Sequence, residues 1–202
     1  GISNVTILNK ITESFNFTSR DIGPGNCLID SWVRKNSKKK YDQDGSLAKS
    51  GTRNQIIFEQ AQELFSNSIN KKNSSFDVND FDVSFVRGLT IEDGAATLTD
   101  FTAKIISGSL TKILSNSKNK FTKVIVCGGG RKNKVLIEKI KKDISSNLVI
   151  QFIDDYGIDG DFIESQAFAF LAIRSILSLP ISFPKTTGCN TPSIGGEFIK
   201  FK

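Results

Sequence analysis

Two glycine-rich turns in the sequence contain the residue types that commonly bind phosphate groups. The first, Asp21-Ile-Gly-Pro-Gly-Asn26, follows an alternating, strand-like segment and precedes an amphipathic run. The second, Cys127-Gly-Gly-Gly130, follows the apolar run Phe121–Val126 and also precedes an amphipathic run. Glycines at such a turn bring backbone N–H groups close to a phosphate, and the following helix N-terminus adds partial positive charge. From the residues alone, a plain β-to-α turn is the simpler interpretation of each.

The apolar periodicity predicts the elements that position these turns. Strands that come first as a hairpin and then alternate with helices favour an α/β domain with a mixed sheet. In such sheets ligands bind beyond the carboxyl ends of the strands, where both turns lie. The predicted strands are Val5–Leu8, Phe15–Asp21, Phe121–Val126, Leu148–Ile153 and the tail Gly195–Phe201, and the predicted helices are Leu28–Val33, Ser46–Ser50, Ile56–Phe65, Ile91–Leu114, Asn133–Ile144 and Asp161–Leu179.

The composition excludes several classes of function. The 202 residues contain no histidine, which removes histidine triads and most zinc sites. Three widely spaced cysteines do not suggest a disulfide framework, so we expect a reducing cytoplasm. Without histidine to activate it, Cys127 is interpreted as a small buried residue. No apolar run is long enough to cross a bilayer, and we expect no membrane partner.

The net charge of +6 raises the question of a nucleic-acid partner, which we do not expect. Lysine accounts for most of the 27 basic residues, and the lysines occur in short polar patches such as Lys38–Lys40. Nucleic-acid surfaces usually bring arginines and exposed aromatic side chains to the contact. A solvated lysine-rich surface is therefore the preferred interpretation.

Six motifs in one order resemble the anhydro-N-acetylmuramic acid kinase family. The resemblance spans nearly the whole chain, and the order of the motifs is far more specific than any one of them. The motifs are D-x-G-P-G-N-x-L-x-D at Asp21–Asp30, Y-D-x-D-G at Tyr41–Gly45, D-G-A-A-T-L-T at Asp93–Thr99, C-G-G-G-x-x-N at Cys127–Asn133, E-x-x-A-F-A-x-L-A at Glu164–Ala172 and the closing Pro184–Gly188.

The resemblance implies a two-lobed protein of the sugar kinase and actin-like superfamily. Residues 1–202 would form its carboxyl-terminal, nucleotide-binding lobe, a ribonuclease H-like lobe with a mixed sheet flanked by helices and a helical insertion at about residues 31–89. The chain has no methionine, and Gly1-Ile-Ser-Asn-Val-Thr6 resembles a segment from midway along the family's proteins. We therefore expect a fragment that lacks the amino-terminal lobe.

For chemistry, the resemblance implies an ATP- and Mg²⁺-dependent kinase of bacterial cell-wall recycling in the cytoplasm. It would hydrolytically open 1,6-anhydro-N-acetylmuramic acid and phosphorylate it to N-acetylmuramic acid 6-phosphate. The base aspartate and first phosphate loop belong to the missing lobe, so this chain alone should be inactive. A sugar kinase of other specificity and a non-enzymatic, actin-like nucleotide-binding module are the alternatives, and a homodimer is left open.

The resemblance also assigns roles within the two turns. Gly23, Gly25 and Asn26 would supply backbone and amide donors to the ATP phosphates. Asp21 would hold a magnesium-bound water, since magnesium keeps waters and takes few carboxylates, with a helix N-cap as its alternative. Gly128, Gly129 and Gly130 resemble the superfamily's adenosine loop. Asn133 is expected to cap the next helix.

Glu164 is the catalytic candidate, with a role in binding the sugar or orienting the attacking water. Its spacing from Asp161 also fits a capping box, in which the glutamate reaches back to the cap N–H. Glu164 shares a helical face with Phe168 and Leu171, which predicts an inward-facing carboxylate. The apolar stripe Phe162–Leu177 is predicted to be core. By contrast, Asp30, Asp42 and Asp44 lack metal-ligand spacing and favour turn chemistry.

Overall fold

The computed structural model describes residues 1–11, 14–69, 75–116, 123–144, 148–197 and 199. The protein is α/β, with small sheets and a larger helical part, as the sequence predicted at this level. The strands are β1 (Ile2–Ile11), β2 (Ser14–Pro24), β3 (Lys123–Val126) and β4 (Val149–Phe152). The helices are α1 (Cys27–Asn36), α2 (Ser46–Ser50), α3 (Gln55–Ile69), α4 (Ile91–Asn116), α5 (Lys134–Asp143), α6 (Ile163–Ile176) and α7 (Pro184–Thr187).

Strands β1 and β2 form an antiparallel hairpin that delivers the first glycine turn. Val5 pairs with Arg20 and Ile7 with Thr18, and a register shift occurs between Ser3 and Asn4. Because side chains alternate along a strand, Val5 and Ile7 point inward. Strand β2 ends at Pro24, inside the Gly-Pro-Gly motif, and α1 begins three residues later at Cys27.

Strands β3 and β4 form a separate parallel pair, connected by α5, that delivers the second glycine turn. Val124 pairs with Ile150 and Val126 with Phe152. The predicted single mixed sheet is therefore not what the described strands form, since they make two sheets of two strands each. Periodicity predicts which face of a strand is buried but not which edge it pairs with. Here the two pairs meet through one apolar cluster, to which Val5, Ile7 and Ile150 contribute.

Helix α4 is the central element, and its two halves belong to two apolar clusters. The amino-terminal half packs with α1, α2 and α3, and the carboxyl-terminal half packs with β2 and α5. The buried residues of the first cluster include Leu28, Ile29, Trp32, Val33, Val86, Ala95, Leu98 and Phe101. Those of the second are Ile22, Ala103, Ile106, Leu110, Ile113, Leu136, Ile140 and Ile144.

Helix α6 is largely exposed, which contradicts the prediction that its apolar stripe is core. Its exposed side chains include Phe168 at 65%, Phe170 at 58% and Ile173 at 56%. An α-helix that is apolar all round normally lies inside a protein. The sequence pattern predicts burial of such a helix, but the described part of this chain provides no neighbour that covers it.

The remaining predictions concern single segments. Between residues 31 and 89, the described residues are helical or irregular and form no strand. Residues 121 and 122 of the third predicted strand lie outside the described residues. In the tail, Gly195–Glu197 is not strand, most of 198–201 is outside the description, and a bridge pairs Ser182 with Ser193 instead. Among the described helices, none combines the length and apolarity needed to cross a membrane.

Candidate nucleotide site

Three of the sequence motifs meet around one buried side chain, Asn133. This residue is 2% exposed, and its amide nitrogen Nδ2 donates a hydrogen bond to Oδ1 of Asn26 over 3.3 Å. Its Oδ1 accepts from the backbone N–H of Leu136 over 3.1 Å, which caps α5. The predicted capping role of Asn133 is therefore confirmed, and the contact with Asn26 brings the two glycine turns together.

The third motif, Tyr41–Gly45, closes around the same asparagine. Gly45 has a φ of 76°, and a Cβ there would lie 2.5 Å from Oδ1 of Asn133. Asp42, which is 5% exposed, accepts from the backbone N–H groups of Leu47 at 2.8 Å and Ala48 at 3.0 Å. Asp42 thus stabilises the start of α2, in agreement with turn chemistry, and Gly45 allows this turn to approach α5.

The glycines of the first turn have protein neighbours. A Cβ on Gly23, whose φ is 152°, would collide with Ile105 of α4, and the N–H of Gly25 donates to the carbonyl of Gly1 over 3.0 Å. Both glycines are buried, whereas Asn26 is half-buried. Asn26 is the N-cap residue of α1, but its side chain makes no capping hydrogen bond. The turn therefore presents the Asn26 side chain and the start of α1 as its polar groups.

Asp21 lies at the end of the same strand but does not cap a helix. Its Oδ2 accepts a hydrogen bond from the backbone N–H of Phe76 over 2.8 Å. The rings of Phe76, Phe65 and Phe81 pack against one another beyond this bond, with centroids 5.4 to 6.4 Å apart. Asp21 therefore ties the end of β2 to a small aromatic group, and the N-cap alternative is wrong.

The glycines of the second turn have open space beside them. A Cβ on Gly128, Gly129 or Gly130 would meet no atom within 4 Å. Gly128 has a φ of 78°, a backbone conformation that favours glycine. The surface along these three residues is therefore accessible backbone, which a flat group could approach. Cys127, predicted to be buried, is exposed, since it follows the last residue of β3 at the start of this open turn.

A basic side chain that the sequence analysis missed, Arg131, locks the second turn to the segment before α6. Its guanidinium donates to both carboxylate oxygens of Asp154, at 2.7 and 2.9 Å, to Asp161 at 2.7 Å and to the carbonyl of Gly128 at 3.1 Å. Gly160 lies so close that a Cβ there would be 2.6 Å from Cζ of Arg131. The cluster of acidic residues at 154–161 was the sequence feature that could have predicted a basic partner such as Arg131.

The ion pairs and hydrogen bonds among Arg131, Asp154 and Asp161 shift the pKa values of these side chains. The hydrogen bonds from Arg131 lower the pKa of Asp154 to about 2. Hydrogen bonds from Lys132 and then Arg131 lower the pKa of Asp161, and bonds to the two carboxylates raise the pKa of Arg131. The Arg131 side chain is only 8% exposed, so its donors are directed at these partners and not at solvent.

Glu164 lies in the first turn of α6 and is exposed, not inward-facing. It makes no hydrogen bond or ion pair with another residue of the described ranges. The capping box with Asp161 is wrong, because Phe162 is the N-cap residue and Asp161 is bound by Arg131 and Lys132. The structure therefore leaves the Glu164 carboxylate available to another group.

The motif Asp93–Thr99 has a structural explanation in this chain. Oδ1 of Asp93 accepts from the backbone N–H of Thr52 over 2.7 Å, and Oγ1 of Thr97 accepts from that of Asn54 over 3.0 Å. Gly94 allows the Trp32 ring to pack against α4, since a Cβ there would lie 2.5 Å from Nε1 of Trp32. These residues hold the α2–α3 connection onto α4 and do not reach the glycine turns.

The carboxylates of the described residues form no multidentate cage for a metal ion. No group of three cysteine, aspartate or glutamate residues is suitably placed for a metal among the described residues. Magnesium usually keeps several waters and binds few carboxylates. Oδ1 of Asp21 accepts no hydrogen bond from another described residue, because the N–H of Phe76 donates to Oδ2, and a single carboxylate oxygen is what a hydrated magnesium ion requires. Burial raises the pKa of Asp30 and of the Cys27 thiol, which makes that cysteine a poor nucleophile.

Comparison with known proteins identifies one family along the whole chain. The family model described as anhydro-N-acetylmuramic acid kinase matches residues 1–200. The chain is 52% identical over 201 residues to a protein of that name from Pelagibacter ubique. It is 37% identical over 199 residues to one from Zymomonas mobilis and 35% identical over 198 residues to one from Methylorubrum populi.

These alignments cover nearly all of this chain but only part of each relative. The three cover 99%, 98% and 97% of the present sequence, and 53%, 52% and 49% of the relatives. The chain therefore spans about half the length of the curated relatives it matches.

Proposed function

This chain belongs to the anhydro-N-acetylmuramic acid kinase family, and we propose that it is the carboxyl-terminal, nucleotide-binding lobe of such a kinase. The proposal includes the ribonuclease H-like character of the lobe and the helical insertion at about residues 31–89. One observation supports it above the others: the hydrogen bond between Asn133 and Asn26 brings both glycine turns to one place. We expect the protein to act in the cytoplasm, in the recycling of bacterial cell wall.

ATP would bind across the two turns. Gly128, Gly129 and Gly130 present open backbone, which suits the adenosine part of the nucleotide. The Asn26 side chain and the amino-terminal end of α1 would face the phosphates, because a helix N-terminus attracts anions. Gly23 and Gly25, which are buried, would let the chain turn directly behind these groups. Asp21 would hold Mg²⁺ through water, and the ion would neutralise phosphate charge during transfer.

The proposed reaction opens the anhydro ring and phosphorylates the sugar in one turnover. Water attacks the anomeric carbon, the bond from that carbon to the 1,6-bridging oxygen breaks, and this oxygen takes the γ-phosphoryl group of ATP. The products are N-acetylmuramic acid 6-phosphate and ADP. Phosphoryl transfer depends mainly on positioning and charge neutralisation, which glycine turns and magnesium can provide. Glu164, exposed and unpartnered among the described residues, would bind the sugar or orient the water.

The activity is tested in a fusion, called here the joined protein. In it, the part of the Pelagibacter ubique relative that this chain does not match is fused ahead of Gly1. We expect ATP-dependent conversion of 1,6-anhydro-N-acetylmuramic acid to its 6-phosphate, measured by ADP release and product mass. The unfused chain is the control and should be inactive. Turnover of another sugar in a substrate panel, but not of the anhydro sugar, would favour a kinase of other specificity. ATP binding without any turnover would favour an actin-like module.

A further inference from the structure

The most unusual surface of the molecule is the exposed apolar side of α6. We define the α6 surface as Phe168, Phe170, Ile173, Ile176 and Leu177, which are 65%, 58%, 56%, 63% and 61% exposed. Between Ser165 and Ile173 the helix carries no charged side chain. Exposed apolar groups of this size normally mark an interaction site.

Contacts at both ends of α6 hold it to the segments that precede and follow it. Before the helix, Asp161 is held by Arg131 and Lys132. At its end, Nε of Arg174 donates to the carbonyl of Pro180 over 2.6 Å. The tail then passes back along the helix, where a Cβ on Gly196 would lie 3.0 Å from Oγ of Ser175. The helix is thus presented outward by contacts at both ends.

Exposed apolar residues occur on every side of the helix along the run Ala167–Ile173, where only Leu171 is half-buried, so they do not form one stripe. Phe168 and Phe170 are two residues apart and therefore project about 200° from each other around the axis. A two-fold contact between two copies would cover one side of each helix and leave the other in water. Full coverage needs a body that encloses the helix, as a domain core does.

The relatives supply a candidate for such a body. The chain spans 53% of the Pelagibacter ubique relative, so nearly half of that polypeptide has no counterpart here. We propose that the α6 surface packs inside this other half, and that α6 is thereby the main apolar link between the two halves of the kinase. The inference rests on the two-lobed arrangement proposed above. It also explains why the Glu164 side chain would lie between the lobes.

Hydrogen exchange in the unfused chain and the joined protein tests this packing. In the unfused chain, the amides of α6 should exchange rapidly, whereas those of the buried part of α4 should be protected. In the joined protein, α6 exchange should slow by at least about tenfold, since buried helices open only rarely. The variant Ile173→Asp should abolish that slowing. Leu64→Asp is the matched control, because Leu64 is 70% exposed on α3 and lies outside the α6 surface.

Three outcomes would overturn the inference. One is an α6 exchange rate that is the same in the joined protein as in the unfused chain, although protected α4 amides show that the joined protein is folded. Another is a loss of α6 protection in Leu64→Asp that equals the loss in Ile173→Asp. A third is a dimer of the unfused chain with protected α6, measured by sedimentation, which would assign the surface to a second copy. The readout does not involve turnover, so protected α6 without kinase activity would contradict the proposed function and leave this inference standing.

Discussion

The side chain of Asn133 donates a hydrogen bond to the side chain of Asn26 over 3.3 Å, although the two residues are 107 positions apart in the sequence. Asn133 also caps α5 through its other side-chain atom, Oδ1. One buried amide therefore starts a helix and joins the two glycine turns. Substitution at position 133 can separate the two hydrogen bonds of this side chain.

Replacing Asn133 by alanine removes both bonds, whereas replacing it by serine keeps a capping oxygen and removes the amide that donates to Asn26. We expect Asn133→Ala to lower the free energy of unfolding by about 2 kcal/mol, since a lost N-cap and a lost hydrogen bond each cost about 1 kcal/mol. Asn133→Ser should cost about half as much, because serine is an N-cap residue as good as asparagine. Both values come from denaturant unfolding.

The contact between the asparagines is isolated by a double-mutant cycle. Asn26→Ala removes no capping bond, so its cost reports the contact alone. The cost of the double variant Asn26→Ala/Asn133→Ser should be smaller than the sum of the two single costs by at least about 0.5 kcal/mol. Fully additive costs would contradict a direct contact between these side chains.

The ion pair between Arg131 and Asp154 predicts that the free energy of unfolding decreases in acid. The pKa of Asp154 is lowered to about 2 from an ordinary value of 3.8, so its contribution is complete above about pH 4. That contribution is lost as the pH falls through about 2. In Arg131→Gln, the pKa of Asp154 should rise towards 3.8, as measured by carboxyl NMR titration, because Arg131 is the largest cause of its lowering.

Unfolding at a series of pH values completes this test. The stability difference between the parent and Arg131→Gln should be constant above about pH 4 and shrink between pH 4 and 2. Lys132→Gln is the control, because Lys132 bonds to Asp161 and not to Asp154. A pKa of Asp154 that stays near 2 without Arg131 would contradict the assignment of its cause.

Two glycines of α4 should respond in opposite directions to the same substitution. A Cβ on Gly94 would overlap the Trp32 ring, so Gly94→Ala should destabilise the protein by about 2 kcal/mol through overpacking. Gly108 has no neighbour within 4 Å, and Gly108→Ala should stabilise by about 0.5–1 kcal/mol through helix propensity. Thermal unfolding measures both. A neutral Gly94→Ala would show that Trp32 does not pack against α4 in this way.

Glu164→Gln tests the catalytic assignment in the joined protein. Because the side chain is exposed and unpartnered in the described part of the chain, the melting temperature should be nearly unchanged. Turnover should fall by at least about 100-fold if the carboxylate orients water or binds sugar, with ATP affinity retained. Retained turnover would remove Glu164 from the site.

The sequence predicted the helices and strands well where one face of an element is buried. The predicted helix Ile91–Leu114 corresponds to α4, Ile91–Asn116, because its apolar residues recur at helical spacing. Strand pairing was predicted less well, since periodicity defines faces and not neighbours. For α6, composition predicted burial, but burial requires a partner that the described residues do not include.

The candidate site was predictable in its parts and not in its assembly. The glycine turns and the cap at Asn133 follow from local residue types. The bond between Asn26 and Asn133 joins distant segments and has no local signal. The same applies to Asp161, where local spacing predicted a capping box and a tertiary ion pair with Arg131 took its place.

The central claim, that both glycine turns bind one nucleotide, is tested most directly by NMR of the joined protein labelled with ¹⁵N-glycine. On titration with Mg²⁺ and a non-hydrolysable ATP analogue, the amide signals of Gly128, Gly129 and Gly130 should shift together with those of Gly23 and Gly25. Signals of Gly88, Gly157 and Gly188, which lie in other turns, should stay in place. Saturable binding that leaves either turn unshifted would contradict the account.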